Sequence, residues 1–289
     1  MVRTIRFADA LNEALFEEME KDERIVVLGE DVGVFGGVYK ITRGLLEKFG
    51  PKRVIDTPIS EDGIIGVAIG MAIVGLKPVA EIMYPDFLPL CMNQLVNSAS
   101  KLKYMSYGKI QTPIVVRTCI IQGRGSGSTH SQVFIPFFMH VPGFQVIAPS
   151  TPYDAKGLLK AAIRSNKVTI FFEAVTLYQK RGEVPDGEYY VPIGKAEIRK
   201  SGKDVTIVAF STTVDLSLSV ANKLEEKGIS CEVIDLRTLA PLDEETILNS
   251  VKKTGRLVTV ENSWHVCGVG SEVTAIVANK ALEYLIAPV

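Results

Sequence analysis

The sequence predicts an α/β protein built as two doubly wound domains, and three observations carry that prediction. Helical and strand-like segments alternate through the first part of the chain, a second regular alternation runs from Val205 to Tyr284, and charges, glycines and prolines cluster between them from Tyr178 to Pro192. The cluster marks a boundary, giving a first domain over residues 1–185 and a second over 186–289. With 289 residues, 47% of them hydrophobic, the chain is long enough to bury two cores.

The first domain opens on an amphipathic helix from Phe7 to Met19, with Phe7, Leu11, Ala14 and Leu15 on one face. A strand at Ile25–Leu28, a short helix at Gly44–Lys48 and an extended piece at Arg53–Asp56 follow. Ser60, standing before two acids and an apolar run, reads as the N-cap of a helix through Gly63–Leu76. That run is about 14 residues, short of the ~20 a membrane-spanning helix needs, so a buried helix is expected. Val79–Met83 returns to strand, Asn93–Tyr104 is helical, and the nearly all-apolar Ile114–Thr118 is a buried strand. The loop Gln122–Thr129, with Gly123, Gly125 and Gly127, breaks all periodicity. Strands at Gln145–Ala148 and Thr169–Glu173 then flank a helix at Tyr153–Ser165.

In the second domain, strands Val205–Phe210, Cys231–Leu236 and Arg256–Glu261 alternate with helices Val214–Lys227, Asp243–Lys253 and Val269–Tyr284. Sheets of this kind bind ligands at the carboxyl ends of their strands, but the fold alone does not name the ligand.

Composition narrows the function. The 32 Lys and Arg balance 33 Asp and Glu for a net charge of -1, and no segment concentrates positive charge as a nucleic-acid or membrane-surface partner would require. Cys91, Cys119, Cys231 and Cys267 lie far apart with no C-x-x-C pair, which argues against a zinc site or a disulfide framework and for buried thiols in a reducing compartment. No basic-then-apolar signal segment precedes the first helix, so a cytoplasmic location is expected.

The chemistry centres on Glu61, which is followed by Gly66, Val67 and Gly70. A carboxyl at a strand-to-helix turn, with glycines behind it at four-residue spacing, lets a flat ligand or another backbone come close while the acid points from the sheet edge. By itself such an acid is more often a helix cap. The pattern is similar to the E-x4-G-Φ-x-x-G signature, with Φ apolar, of the pyrimidine-binding domain in transketolase-like thiamine enzymes. The resemblance extends over Gly29–Val32, Asp56–Glu61, Asp86–Gln94, His130–Gln132, Pro142–Gly143 and Asp154–Leu158. Together these segments resemble the E1 beta subunits of pyruvate, branched-chain 2-oxoacid and acetoin dehydrogenase complexes.

The resemblance implies thiamine diphosphate as cofactor, with Glu61 hydrogen-bonded to N1′ of its aminopyrimidine. Met83 and Phe87 match positions that pack on the pyrimidine, and Tyr84 and Asp86 lie between them in the sequence. His130 would face the reacting end of the cofactor and help pass the acyl group to a lipoyl arm. His140 and His265 lack such context. Arg124 is a candidate for a substrate carboxylate, though a solvated loop charge is the commoner reading; Phe134, Phe137 and Phe138, with Tyr84, are candidates for an apolar substrate pocket.

The glycine loop lacks the Lys-Ser/Thr ending of a P-loop and is not a dinucleotide fingerprint. The family's G-D-G motif for diphosphate and Mg²⁺ does not occur in the chain. The resemblance therefore implies an E1 alpha subunit that binds the Mg²⁺, a heterotetramer of two alpha and two beta chains, and a lipoyl-bearing E2 acyltransferase as the next partner. The implied activity is oxidative decarboxylation of a 2-oxoacid with reductive acylation of the lipoyl group. A part of a split transketolase-like carbon-transfer enzyme and a non-catalytic scaffold paralogue are the alternatives.

Two departures stand out. Relatives hold a potassium ion near the equivalents of Ile114, Ala162 and Ile163 with an Asp and an Asn beyond, and here those two positions are Ser165 and Lys167, so an altered site is expected, with the Lys167 amine in place of the ion. Relatives also continue past Ala287-Pro288-Val289 into another strand, so a shortened second domain is expected.

Overall fold

In the computed structural model, which describes residues 2–121, 123 and 125–289, strand β1 (Val2–Arg6) runs directly into helix α1 (Phe7–Lys21). The helix buries Phe7, Ala10, Leu11, Ala14, Leu15 and Met19, the apolar stripe its 3.6-residue period demands. Strand β2 (Ile25–Gly29), helix α2 (Leu45–Phe49), strand β3 (Val54–Asp56), helix α3 (Glu61–Ile73) and strand β4 (Lys77–Glu81) follow. Next come a 3-10 turn at Pro85–Cys91, a π-helical stretch at Asn93–Ala99, helix α4 (Leu102–Met105), strand β5 (Val115–Ile120), helix α5 (Ile135–His140) and strand β6 (Phe144–Ile147). Helix α6 (Pro152–Arg164), strand β7 (Val168–Ala174) and strand β8 (Arg181–Pro185) complete this part.

The chain parts into two compact units, the first running up to Ile147 and taking in Thr151–Ile193. Its strands lie in the order β6-β7-β5-β4-β2-β3, every pairing between them parallel. Helix α1 packs on α6, where the ammonium groups of Lys156 and Lys160, both fully buried, reach Glu13 and Glu17 at 2.6–3.0 Å. Gly29, with a φ of 154°, closes β2 where an added Cβ would sit 2.7 Å from the Glu81 carbonyl, so only glycine lets the two strands approach there.

The sequence boundary after residue 185 differs from the structural one at Ile193. Strand β8 pairs antiparallel with β1, Val2 opposite Pro185, and holds the charge-rich segment to the first unit. Neither strand was legible, because both are largely exposed and carry little apolar alternation. The expected continuous helix at Asn93–Tyr104 is instead the π-helical stretch followed by the single turn of α4; Ser100 donates its N–H to the Leu95 carbonyl and its hydroxyl to that of Val96, widening the turn. Ser60 occupies the N-cap position of α3, but its hydroxyl makes no capping bond. The apolar helix expected to be buried also leaves a face open: Val67 is 53% and Ile73 47% exposed, with Val74 exposed just past the end of the helix.

The second unit comprises Ala148–Ser150 and Gly194–Val289. It holds strands β9 (Glu197–Lys200) and β10 (Val205–Ala209), helix α7 (Thr213–Glu225), strands β11 (Cys231–Asp235) and β12 (Thr238–Ala240), helix α8 (Glu244–Thr254), strand β13 (Leu257–Val260) and helix α9 (Val269–Lys280). Its sheet runs β13-β10-β11-β9, parallel except for the antiparallel edge strand β9, so it is mixed. The α9 helix stops at Lys280 and a 3-10 turn at Leu282–Tyr284 replaces its expected last turn. Glu261 accepts the Val269 and Gly270 N–H groups at 3.1 and 2.9 Å, a carboxylate set against the positive end of α9.

Three of the thiols are buried as expected, but Cys267 is exposed, in a turn with a φ of 57°. Among the described residues no helix is long and apolar enough to cross a membrane.

Candidate active site

The site is built at the carboxyl ends of β2, β3, β4 and β5 in the first unit, where a parallel sheet leaves its connecting loops free to carry side chains. After β3 the chain turns at Ser60 and Glu61 becomes the first residue of α3, 6% exposed. Helix α3 packs on the Pro85–Cys91 turn. The Cys91 thiol registers the acid's proximity: burial, then the charge of Glu61, pushes it up to about 12. Glu30, just past β2, is raised above the ordinary carboxyl range by burial and then by Glu61, Asp31 and Glu81. Two carboxyls, Glu30 and Glu61, therefore share one electrostatic environment.

Past β4 the chain carries Met83, Tyr84, Asp86 and Phe87, all partly buried. The Met83 carbonyl accepts the Cys119 N–H at 3.3 Å, which ties this segment to β5. His130 stands edge-on to Phe87, ring centroids 5.3 Å apart at 86°, and to Tyr84 at 5.5 Å and 66°. Tyr84 and Phe87 are 5.9 Å apart, so the three rings form one cluster. Thr129 Oγ1 lies 3.1 Å from His130 Nδ1. Asp86 Oδ1 accepts both the backbone N–H and the side-chain amide of Gln132, at 3.2 and 3.1 Å. The loop after β2 is clamped separately: Asp56 accepts the N–H groups of Gly33 and Val34 at 2.6 and 3.2 Å.

The structure thus brings Phe87 and His130 into contact and sets the Glu61 helix against the turn that carries Phe87. Of the aromatic candidates, Phe134 and Phe137 stack at 5.1 Å with Phe137 half exposed, whereas Phe138 is fully buried against Phe144 and Phe172 and is core, not pocket. His140 and His265 are exposed and take no part in the cluster. Arg124, with Gln122, lies outside the described residues. Sequence reading missed Glu30 as a neighbour of Glu61, although Gly29–Val32 was among the matched segments, and gave no sign of the Asp86–Gln132 tie.

Around the expected cation position, the Ile114 carbonyl accepts the Thr169 N–H at 2.8 Å, and the Ala162 carbonyl accepts the Ser165 N–H and hydroxyl at 3.1 and 2.9 Å. The Ser165 hydroxyl also meets Gln145 Oε1 at 3.0 Å. The Lys167 residue is exposed. Ser165, not Lys167, is the residue that meets the Ala162 carbonyl.

A flat, weakly basic heterocycle fits the residues present. Glu61 is a buried acid for a ring nitrogen, Phe87 and Tyr84 offer aromatic surface, and Cβ atoms added at Gly66 and Gly70 would meet nothing within 4 Å. Asp86 Oδ2 is one of the buried polar atoms that have no partner among the described residues. Among the described residues no group of three or more His, Cys, Asp or Glu is placed to hold a metal ion.

Residues 3–180 match the transketolase pyrimidine-binding domain and residues 194–289 the transketolase C-terminal domain. The sequence is 43% identical over 301 residues to the beta subunit of acetoin:2,6-dichlorophenolindophenol oxidoreductase of Bacillus subtilis, covering 100% of this chain and 88% of that protein. It is 46% identical over 285 residues to the pyruvate dehydrogenase E1 component subunit beta of Rickettsia bellii, covering 99% and 88%. A solved structure, a split gene transketolase described as an inactive beta4 tetramer, matches with a TM-score of 0.80 at 24% identity over 96% of this chain and 85% of that one, a likeness of fold.

Proposed function

The chain belongs to the transketolase-like family of E1 beta subunits of the pyruvate and acetoin dehydrogenase type, and on that footing we propose that it supplies the pyrimidine half of a thiamine-diphosphate site completed by an alpha subunit. The assembly, two alpha and two beta chains in the cytoplasm, decarboxylates a 2-oxoacid and acylates the lipoyl group of an E2 partner. The alpha chain contributes the diphosphate and Mg²⁺ ligands.

When bound, the cofactor supplies the carbon nucleophile and the electron sink that make the carbon–carbon cleavage feasible. The chain's own residues orient and tune. Glu61 shares a proton with the pyrimidine N1′; Met83 and Phe87 pack on the ring; His130 holds or moves a proton at the reacting end. The observation that supports this most is the buried Glu61 at the head of a helix packed on the same turn that sets Phe87 edge-on to His130. The exposed apolar face of α3, Val67 with Ile73, supports the alpha partner, since such a face on a folded chain marks a contact surface.

Acetoin is the second reading for the substrate, favoured by the 43% identical acetoin relative. Reconstitution with alpha chains, followed by reduction of dichlorophenolindophenol with pyruvate, branched-chain 2-oxoacids or acetoin, decides between them. Glu61→Ala must abolish turnover in that assembly. Undiminished turnover rejects the reading, sugar-phosphate exchange supports a split carbon-transfer enzyme, and inactivity with every alpha chain supports a scaffold.

A further inference from the structure

Asp86 sits in the Pro85–Cys91 turn between the two rings, Tyr84 and Phe87, that contact His130. Its two oxygens are used unequally. Oδ1 takes two donors from Gln132, the backbone N–H at 3.2 Å and the side-chain amide at 3.1 Å. Oδ2 is buried and, among the described residues, has no partner.

The first oxygen matters because of what precedes His130. Gly123, Gly125 and Gly127 all have positive φ, and Cβ atoms added at any of them would meet nothing within 4 Å. The tie from Asp86 to Gln132, two residues past His130, is the polar fastening that returns this segment to the turn carrying Tyr84 and Phe87. The second oxygen matters because a buried carboxylate oxygen without a donor is unfavourable, and native structures keep few such atoms unless a ligand or a water answers them.

We propose that Asp86 is a positioning residue for His130 through Gln132, and that its second oxygen accepts a hydrogen bond from a hydroxyl or amino group of the ligand bound beside Phe87. This rests on the reading of the site as the pyrimidine half of a thiamine enzyme. It assigns Asp86 two separable tasks, and substitutions divide them. Asp86→Asn keeps an acceptor for Gln132 but puts a donor where the lone oxygen was. Gln132→Ala frees the loop but keeps that oxygen. Asp86→Ala removes both.

The test uses the reconstituted assembly and two readouts besides turnover. Carbethoxylation of His130 by diethyl pyrocarbonate is followed by peptide mass spectrometry, with exposed His140 and His265 as internal references, and thiamine diphosphate affinity is measured by titration calorimetry. Gln132→Ala and Asp86→Ala should raise the His130 labelling rate about fivefold or more and lower kcat while the reference histidines stay unchanged. Asp86→Asn should leave His130 labelling near wild type and raise the substrate KM or the thiamine diphosphate Kd about tenfold, the loss of one charge-assisted hydrogen bond. Unchanged labelling in both loop-freeing variants, or unchanged KM and Kd in Asp86→Asn, overturns the proposal. An assembly inactive toward every 2-oxoacid and acetoin, but with His130 labelling and cofactor affinity responding as stated, would instead reject the proposed function and leave the role of Asp86 standing.

Discussion

Arg117 and Glu173 meet side by side in the middle of the first sheet, Nε to Oε1 at 2.7 Å and Nη2 to Oε2 at 2.8 Å, with both side chains almost wholly buried. Tyr178 donates to the same Glu173 oxygen at 2.7 Å, and Glu81 takes the remaining face of the guanidinium at 2.8 Å. The two carboxyls are not equivalent. Burial pushes Glu81 upward despite Arg117, so it carries a proton more readily than an ordinary glutamate, whereas Glu173 holds the bidentate pair. Glu173→Gln should therefore destabilise the chain by ~3–5 kcal/mol, the usual loss when one half of a buried pair is removed, and Glu81→Gln by no more than about 1 kcal/mol. Urea unfolding of the two variants checks this; equal losses would refute the asymmetry.

The lysine lattice between α1 and α6 predicts an acid limit. Burial alone would raise the Glu17 carboxyl, but the hydrogen bonds and charges of Lys156 and Lys160 outweigh it and hold the group below its ordinary value of 4.5. Folded Glu17 thus binds its proton less readily than unfolded Glu17, so its contribution is complete above pH 4.5 and drains away as the pH falls below that value. Glu17→Gln should be less stable than the parent at pH 7, with the difference shrinking as the pH is lowered through 4.5 and below. A constant difference between the two urea midpoints across that range would contradict the assignment.

Val67 on the open face of α3 predicts a variant that folds but does not assemble. Val67→Glu places a charge on a side chain already 53% exposed, so its thermal midpoint should move little, within the ~0.5 kcal/mol typical of surface changes. Co-purification with an alpha chain, in contrast, should be lost, because a charge facing an apolar interface is left without a partner. Retained co-purification would remove α3 from the contact.

Gly33 predicts a loop defect. A Cβ there would lie 2.5 Å from Asp56 Oδ2, so Gly33→Ala must displace the carboxylate that holds the Gly33 and Val34 N–H groups. A destabilisation of ~1–3 kcal/mol, as for other overpacked positions, is expected together with faster proteolysis between Asp31 and Lys40. Wild-type cleavage kinetics would show that the clamp is dispensable.

Much of this architecture is legible from side-chain period alone. Phe7, Leu11, Ala14 and Leu15 fix α1, and the apolar runs of β2, β5 and β7 fix the buried parallel strands, because in each the burial that stabilises the element also writes its pattern. Where stabilisation comes from elsewhere, the pattern is silent. Strands β1 and β8 are held by their mutual ladder and by surface ion pairs such as Arg3 with Glu13, so neither shows an apolar alternation. The π-helical turn at Asn93–Ala99 depends on one serine bonding backward, which composition does not announce.

The candidate site follows the same division. Glu61, Phe87 and His130 could be named from matched motifs, since the residue type itself carries the chemistry. Phe138 could not be told from Phe137: adjacent phenylalanines on a short helix point to different sides, and only packing decides which one enters the core. Glu30 and Gln132 acquire their meaning from neighbours distant in sequence, Glu61 for one and Asp86 for the other.

The uneven burial of the thiols makes the folded chain a selective target for covalent labelling. Cys91, Cys119 and Cys231 are shielded from reagents, and burial also suppresses the thiolate each would need to react, whereas the turn of Cys267 presents its sulfur to solvent. A maleimide dye added without denaturant should accordingly attach once, giving the second unit a single fluorescent handle without any engineered cysteine.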